Sequence, residues 1–248
     1  MDPLFWQVVL VGFVAQMIDG ALGMAYGVSS NAFLLSLGLH PAVASASVHL
    51  AEVFTTAVSG TAHWRMGNVD GALVKRLLVP GVLGGVLGAY ILSSVDGDRI
   101  KPYLSIYLVI MGVYILYKAI WGRARTPAQA APRHISLLGL LGGFLDAVGG
   151  GGWGPVVTTT LLARGNNPRK TVGSVSLSEF SVTFAQSIVF LLTLGVVHWQ
   201  IVLGLLLGGL VAAPLGAHIV RRIPARALMG VIGLLIIGLS LRTIVLAF

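Results

Sequence analysis

DAVGGGGWGP, residues 146–155, interrupts the apolar stretch 135–165 near its middle. Four glycines in a row, Gly149 to Gly152, followed by Gly154 and Pro155, end any helix that runs into them. A second break, DGALGMAYG at residues 19–27, interrupts the apolar stretch 4–38 in the same way. The arms on either side of each break are about 14 to 17 residues long, short of the roughly 20 that a helix needs to span a bilayer. Irregular backbone at membrane depth is tolerated only where protein or a water-filled cavity satisfies it. Two broken helical hairpins whose tips meet other protein or water are therefore expected.

Outward from the two breaks, the chain matches itself at an offset of 127 residues. Asp19 meets Asp146, Gly23 meets Gly150, Gly27 meets Gly154, Pro41 meets Pro168, Ser47 meets Ser174 and Glu52 meets Glu179. After one inserted residue the match resumes, Gly67 on Gly195 and Gly88 on Gly216. Apolar coincidences carry little weight in so hydrophobic a chain, but matched acids and prolines carry much more. A repeat at fixed offset is the signature of a duplicated unit. Two units are expected, 1–122 and 134–248, joined by a polar linker at 123–133. Each reads as a broken hairpin followed by three plain helices, about 41–63, 71–92 and 101–121 in the first and 168–192, 199–220 and 226–247 in the second.

Composition sets the class. Of 248 residues 56% are hydrophobic and 10% charged, with a mean hydropathy of +0.92, against about 25% charged in a soluble domain. The expected fold class is an all-α polytopic membrane protein, its principal partner the lipid bilayer. The net charge of +8 lies in short loops, where basic residues set topology, so no nucleic-acid partner is expected. There is no cysteine, hence neither disulfide nor thiolate metal site, and MDPLFW at the start lacks the basic region of a cleaved leader. If the broken segment 135–165 returns to its own side, 13 Lys/Arg fall on one face and 3 (Arg99, Lys101, Arg242) on the other. If it crosses, the split is even. The positive-inside rule selects the hairpin and places the linker in the cytoplasm of a multi-pass cytoplasmic-membrane protein. A hairpin and three crossings make each unit odd, so the two run oppositely: an inverted repeat, as in many secondary transporters.

The chemistry concentrates at the tips and on two polar stripes. The glycines Gly149, Gly150, Gly151 and Gly152 leave amides uncovered at the start of a mid-membrane arm, where a helix N-terminus attracts anions. Alternatively, they only permit close packing. Ser29 and Asn31, with Thr158 in the second unit, add donors. Asp19 and Asp146 either cap their returning arms or exchange protons. Glu52 and Glu179 each lie 11 residues beyond a helix-starting proline, about 16 Å into the helix and so near the middle of a core about 30 Å thick. They belong to stripes at 3–4 spacing, His49, Glu52, Thr56, Ser59 and Ser176, Glu179, Thr183, Gln186, and each stripe occupies one helix face. Intramembrane acids normally line substrate or proton pathways, the structural alternative being a protonated acid bonded to a neighbouring helix. His49 stands one turn from Glu52, but these two make too few ligands for a metal site. His63 and His218 lie towards helix ends.

GALG…YG, DAVGGGGWGP, SVSLSEF and GVVHW together resemble the TauE/SafE sulfite exporter family, also called the toluene-sulfonate uptake permease family, over essentially the whole chain. The first tip, GALGMAYG, departs from the glycine run of the second. The resemblance implies transport of a small sulfur-containing anion such as sulfite, a sulfonate or a sulfoacetate-like compound. In that reading Gly149 to Gly152, Trp153, Thr158, Ser29, Asn31, Tyr26, Ser176 and Gln186 bind substrate. Glu52, Glu179, Asp19, Asp146 and His49 handle protons, because ionised acids would repel an anion. No metal and no cofactor is expected. The rival reading is a cation or metal exporter using the same carboxylates. An intramembrane enzyme is disfavoured, since neither HExxH nor GxSxG occurs. A channel would differ by not concentrating its substrate.

Overall fold

The computed structural model describes residues 3–22, 24–121, 134–195, 198–219 and 225–247, among which there are helices and no strand. The expected linker 123–133 lies outside them. In order the elements are α1 (Pro3–Leu22), α2 (Tyr26–Ser36), α3 (Pro41–Arg65), α4 (Gly71–Ser94), α5 (Gly97–Trp121) and α6 (Ile135–Gly149). A π-helical turn (Trp153–Thr158) then runs into α7 (Thr159–Ala163), followed by α8 (Pro168–Leu194), α9 (Trp199–Ile219) and α10 (Ala225–Ala247). The plain helices lie where apolar length puts them. Pro41 and Pro168 start α3 and α8, and the Asn167 side chain caps α8 by accepting from the Lys170 amide at 3.2 Å.

The arms of the breaks differ from the even 14 to 17 residues expected. α1 has 20 residues and continues through Asp19, whereas α6 has 15 and stops at Gly149. A lone Gly20 lowers helix stability by only about 1 kcal/mol, so the first helix persists to Leu22. Four glycines in a row stop the second. The returning arms α2 and 153–163 are 11 residues each. The second begins with a π turn around Pro155, which has no N–H to give, and Thr159 Oγ1 donates to the Pro155 carbonyl.

Helix pairs are joined through glycines. α6 lies along α4 in the same direction: Gly139 faces Leu77, Gly143 faces Gly81, and Gly88 faces Phe144 and Ala147. α1 lies along α9 likewise, with Gly204 against Val8 and Gly208 against Phe13. A Cβ on Gly84 or Gly208 would strike the facing backbone. Small residues are what let helices approach this closely in a membrane. α3 runs antiparallel to α8, with Gly60 on Leu177 and His63 beside Gly173. α5 runs antiparallel to α10, Gly112 facing Ile237 and Gly233 facing Leu116.

Each broken segment returns to the face it came from. Lys170 Nζ, at the start of α8, donates to the Gly67 and Val69 carbonyls at 2.9 and 3.0 Å, and Ile135 packs with Leu73, so both ends of the second break lie beside the α3–α4 turn. At the other face Arg242 Nη1 donates to the Ser36 carbonyl at 2.7 Å, and Gly97 abuts His40. The first of these is called the basic face below, because Arg65, Lys75, Arg76, Arg164, Arg169 and Lys170 lie there.

The outer surface fits a lipid solvent. Val58, Val245 and Leu192 are 71, 75 and 80% exposed, an apolar coat that a soluble monomer does not carry. Trp64 and Trp121 stand exposed at helix ends on the basic face, Trp6, Tyr103 and Trp199 near the opposite one, as aromatic residues do at membrane interfaces. Among the described residues, five helices are long and apolar enough to cross a bilayer: Pro41–Arg65, Gly71–Ser94, Gly97–Trp121, Pro168–Leu194 and Met229–Leu246. The protein is an all-α, integral, multi-pass membrane protein.

Candidate functional site: a carboxylate-lined central cavity

The two breaks meet. Gly27 packs on Gly150 and Gly151, Gly154 packs on Met24, and Asn31 Nδ2 donates to the Gly149 carbonyl at 2.6 Å. A Cβ on Gly27 would lie 2.5 Å from the Gly150 oxygen, so this approach needs glycine. Ala25 holds a left-handed conformation, φ 87°, which non-glycine residues seldom adopt outside sites where the surroundings impose it.

Beside the meeting point is a cavity of ≈ 390 Å³. Its walls include Asp19 of α1, Tyr26 and Gly27 of α2, Glu52 and Ser59 of α3, Gly151 of the second break, and Ser176 and Glu179 of α8. Asp146 also reaches it. Glu52 is buried, 5% exposed, with Oε2 unpartnered, whereas Glu179 is half-buried. The mouth, with Ser59, His63, Val172 and Ser176, opens towards the basic face. Of the lining side chains none is Lys or Arg, and His63 alone can carry positive charge. Thr56 and Thr183 donate to the Glu52 and Glu179 carbonyls one turn back, leaving the carboxyl groups to the cavity.

The opposite end is sealed by Asp146. Its Oδ1 accepts from the Gly152 and Trp153 amides at 2.8 and 2.9 Å. Oδ2 meets His49 Nε2 at 3.2 Å and Gln186 Nε2 at 3.1 Å. The Asp146 carbonyl takes the amides of Gly150 and Gly151. His49 Nδ1 stands 2.7 Å from the Ser45 carbonyl, an acceptor only, so the network assigns the Nδ1 proton there. Nε2 is then the atom left to face the Asp146 carboxyl. Ser45 Oγ in turn donates to the Ala147 carbonyl at 2.6 Å.

These bonds revise the anion site expected at the glycine run. The amides of Gly150 to Trp153 all turn to Asp146, the first two to its carbonyl and the last two to its carboxyl, so in this state they are not free for a ligand. Gly149 packs against the Tyr107 ring and Gly150 against Asn31; of the run only Gly151 reaches the cavity. Trp153 is fully buried, its indole N–H donating to the Val175 carbonyl at 3.2 Å. Ser29 bonds back to the Ala25 and Tyr26 carbonyls, and Thr158 is buried away from the cavity. Asn31, Gln186 and His49, all 0% exposed, hold the seal and line nothing. Tyr26, Ser176, Glu52, Glu179, Asp19 and Asp146 do line the cavity. Asp19 accepts the Tyr26 backbone N–H, as Asp146 accepts that of Trp153, so both acids cap their returning arms. Three contributors were not singled out from sequence: Ser45, Thr55 and Gln16. Ser45 lies one turn before His49 on the same stripe, and extending the stripe backwards would have found it.

Membrane-spanning helices around a polar cavity that opens to one face and is sealed at the other define a membrane transporter. A sequence profile described as "Sulfite exporter TauE/SafE" matches residues 8–243, and the chain belongs to that family. It is similar to the "Probable membrane transporter protein YtnM" of Bacillus subtilis (strain 168), 45% identical over 95% of this chain and 81% of the relative. A "Probable membrane transporter protein" of Haemophilus influenzae is 28% identical over 85% of this chain and 82% of its own. One from Sinorhizobium sp, ORF9, is 24% identical over 94% and 89%. No solved structure matches.

Proposed function

We propose that the chain is a proton-coupled secondary transporter, not an enzyme, carrying a small sulfur-containing anion such as sulfite, a sulfonate or a sulfoacetate-like compound by alternating access. The observation that carries this is the cavity: acids from both breaks and both polar stripes converge on one space, open at a single end. The family description, a sulfite exporter, supports the substrate class. The antiparallel packing of α3 on α8 and of α5 on α10 supports two inverted units, 1–122 and 134–248, joined by a cytoplasmic linker at 123–133. The charge asymmetry supports a cytoplasmic basic face, and hence an inward-open cavity in the cell membrane.

Coulomb repulsion at a few ångströms is strong in a low dielectric. An anion therefore enters this cavity together with protons on Glu52 and Glu179, whose acid O–H groups then become donors beside Ser59 and Ser176. Binding and protonation are thereby linked. In Glu179→Gln, the side chain imitates the protonated acid in shape and charge but releases no proton. Reconstituted in vesicles, this variant is expected to bind substrate and to exchange it for substrate, while losing accumulation driven by a pH gradient. Normal accumulation by the variant would make Glu179 structural. One observation favours a second reading, a cationic substrate: the lining is acidic and the tip amides are spent on Asp146. Saturable, concentrative uptake of a cation, with none of sulfite or sulfonates, would select it.

A further inference from the structure

The walls of the cavity and their counterparts 127 residues away are in opposite states. Ser59, Ser176, Thr55 and Val172 are half-buried at the mouth. Their counterparts Gln186, His49, Val182 and Ser45 are each 0% exposed. Asp19 faces the open cavity, and Asp146 is held by His49 and Gln186 where its counterpart has Ser176 and Ser59. On the opposite face a crevice of ≈ 10 Å³ ends against Phe190, room for about one water. Phe190 is 1% exposed and its ring lies 6.0 Å from that of His49; its own counterpart, His63, stands in the open mouth.

We propose that the state open to the opposite face is this arrangement exchanged, a reading that rests on alternating access. In it Asp146 leaves His49 and Gln186, and Phe190 swings from the crevice. Ser45, His49, Val182 and Gln186 then wall a second cavity around the same Glu52 and Glu179. The Asp19 tip closes over Ser59 and Ser176. His49 and Gln186 are positioning residues that hold the present state by gripping Asp146. Because serine replaces both at the Asp19 tip, the grip there is weaker. The state open to the basic face is thus the more populated one without substrate.

The chain has no cysteine, so single reporters are clean. Thr55→Cys and Val182→Cys are counterparts, and Arg169→Cys and Arg99→Cys mark the basic and opposite faces. With a membrane-impermeant thiol reagent, Thr55→Cys is expected to label from the Arg169 side and Val182→Cys from neither. Adding His49→Ser and Gln186→Ser is expected to speed Val182→Cys labelling from the Arg99 side by about tenfold or more, the scale of losing hydrogen bonds to a charged group. Thr55→Cys labelling should slow. Unchanged rates in a folded variant, or Val182→Cys gaining access from the Arg169 side, would overturn the proposal. If the double change does not accumulate, Gln186→Ser alone must shift both rates the same way by a smaller factor, and no shift overturns it equally. Labelling needs no substrate, so failure of anion transport leaves this result standing. Both reporters reacting from both faces at once would reject alternating access itself.

Discussion

At the Asp146 tip both carboxylate oxygens are spoken for; at the Asp19 tip the same acid looks into an open space. Both acids take a backbone N–H from the returning arm, Asp146 from Trp153 and Asp19 from Tyr26. They differ in what stands across from them: a histidine and a glutamine in one case, two serines in the other. The side chains also differ in reach, and reach decides whether an acid is gripped or left free. Two sites at matched positions of one chain thus hold the same acid in two ways, one gripped and one facing a cavity.

The largest contrast is expected from removing the acids. Asp146→Ala leaves His49, Gln186 and two buried amides unpaired, and breaking a buried charged contact costs about 3–5 kcal/mol. Asp19→Ala removes an arm cap, worth about 1 kcal/mol. Thermal melting of the purified proteins in detergent compares them; equal shifts would mean that the tips are equivalent after all.

The glycines sharpen the comparison next. In Gly27→Ala the new Cβ meets backbone at 2.5 Å, whereas in Gly154→Ala it finds Met24 at 3.1 Å, a contact that yields by a few tenths of an ångström. Overpacking against rigid backbone costs about 1–3 kcal/mol. Gly27→Ala is therefore expected to melt lower than Gly154→Ala, and the reverse order would contradict the tip packing.

The smallest effect concerns the paired aromatics at the starts of the returning arms. Trp153→Phe loses a 3.2 Å indole bond and buried ring volume, about 2 kcal/mol in all. Tyr26→Phe gives up only a 3.5 Å contact to the Leu205 carbonyl, too long to contribute more than about 0.5 kcal/mol. Tyr26→Phe matching Trp153→Phe in melting would show that the Asp19 tip is held as firmly as its counterpart.

Much of this was readable along the chain. Apolar length, starting prolines and glycine breaks located the helices, since each is a local property of a segment in lipid. The polar stripes located Glu52 and Glu179, because residues at 3–4 spacing share a helix face whatever lies opposite. The glycine run was legible as a break but not in its use. Nothing local says that a carboxylate six and seven residues earlier folds back to take the Gly152 and Trp153 amides.

The sequence by itself determined the class of protein, the places where the chain breaks and which acids lie at membrane depth, because hydropathy, backbone freedom and helical periodicity act within a few turns. Only the tertiary structure decided which stripe residues line the cavity and which seal it. That depends on α3 and α8 running antiparallel, so that each stripe has one end at the Asp146 tip and the other at the mouth. Hydrogen bonds over distances of 3 Å then select among side chains that a one-dimensional pattern leaves equal.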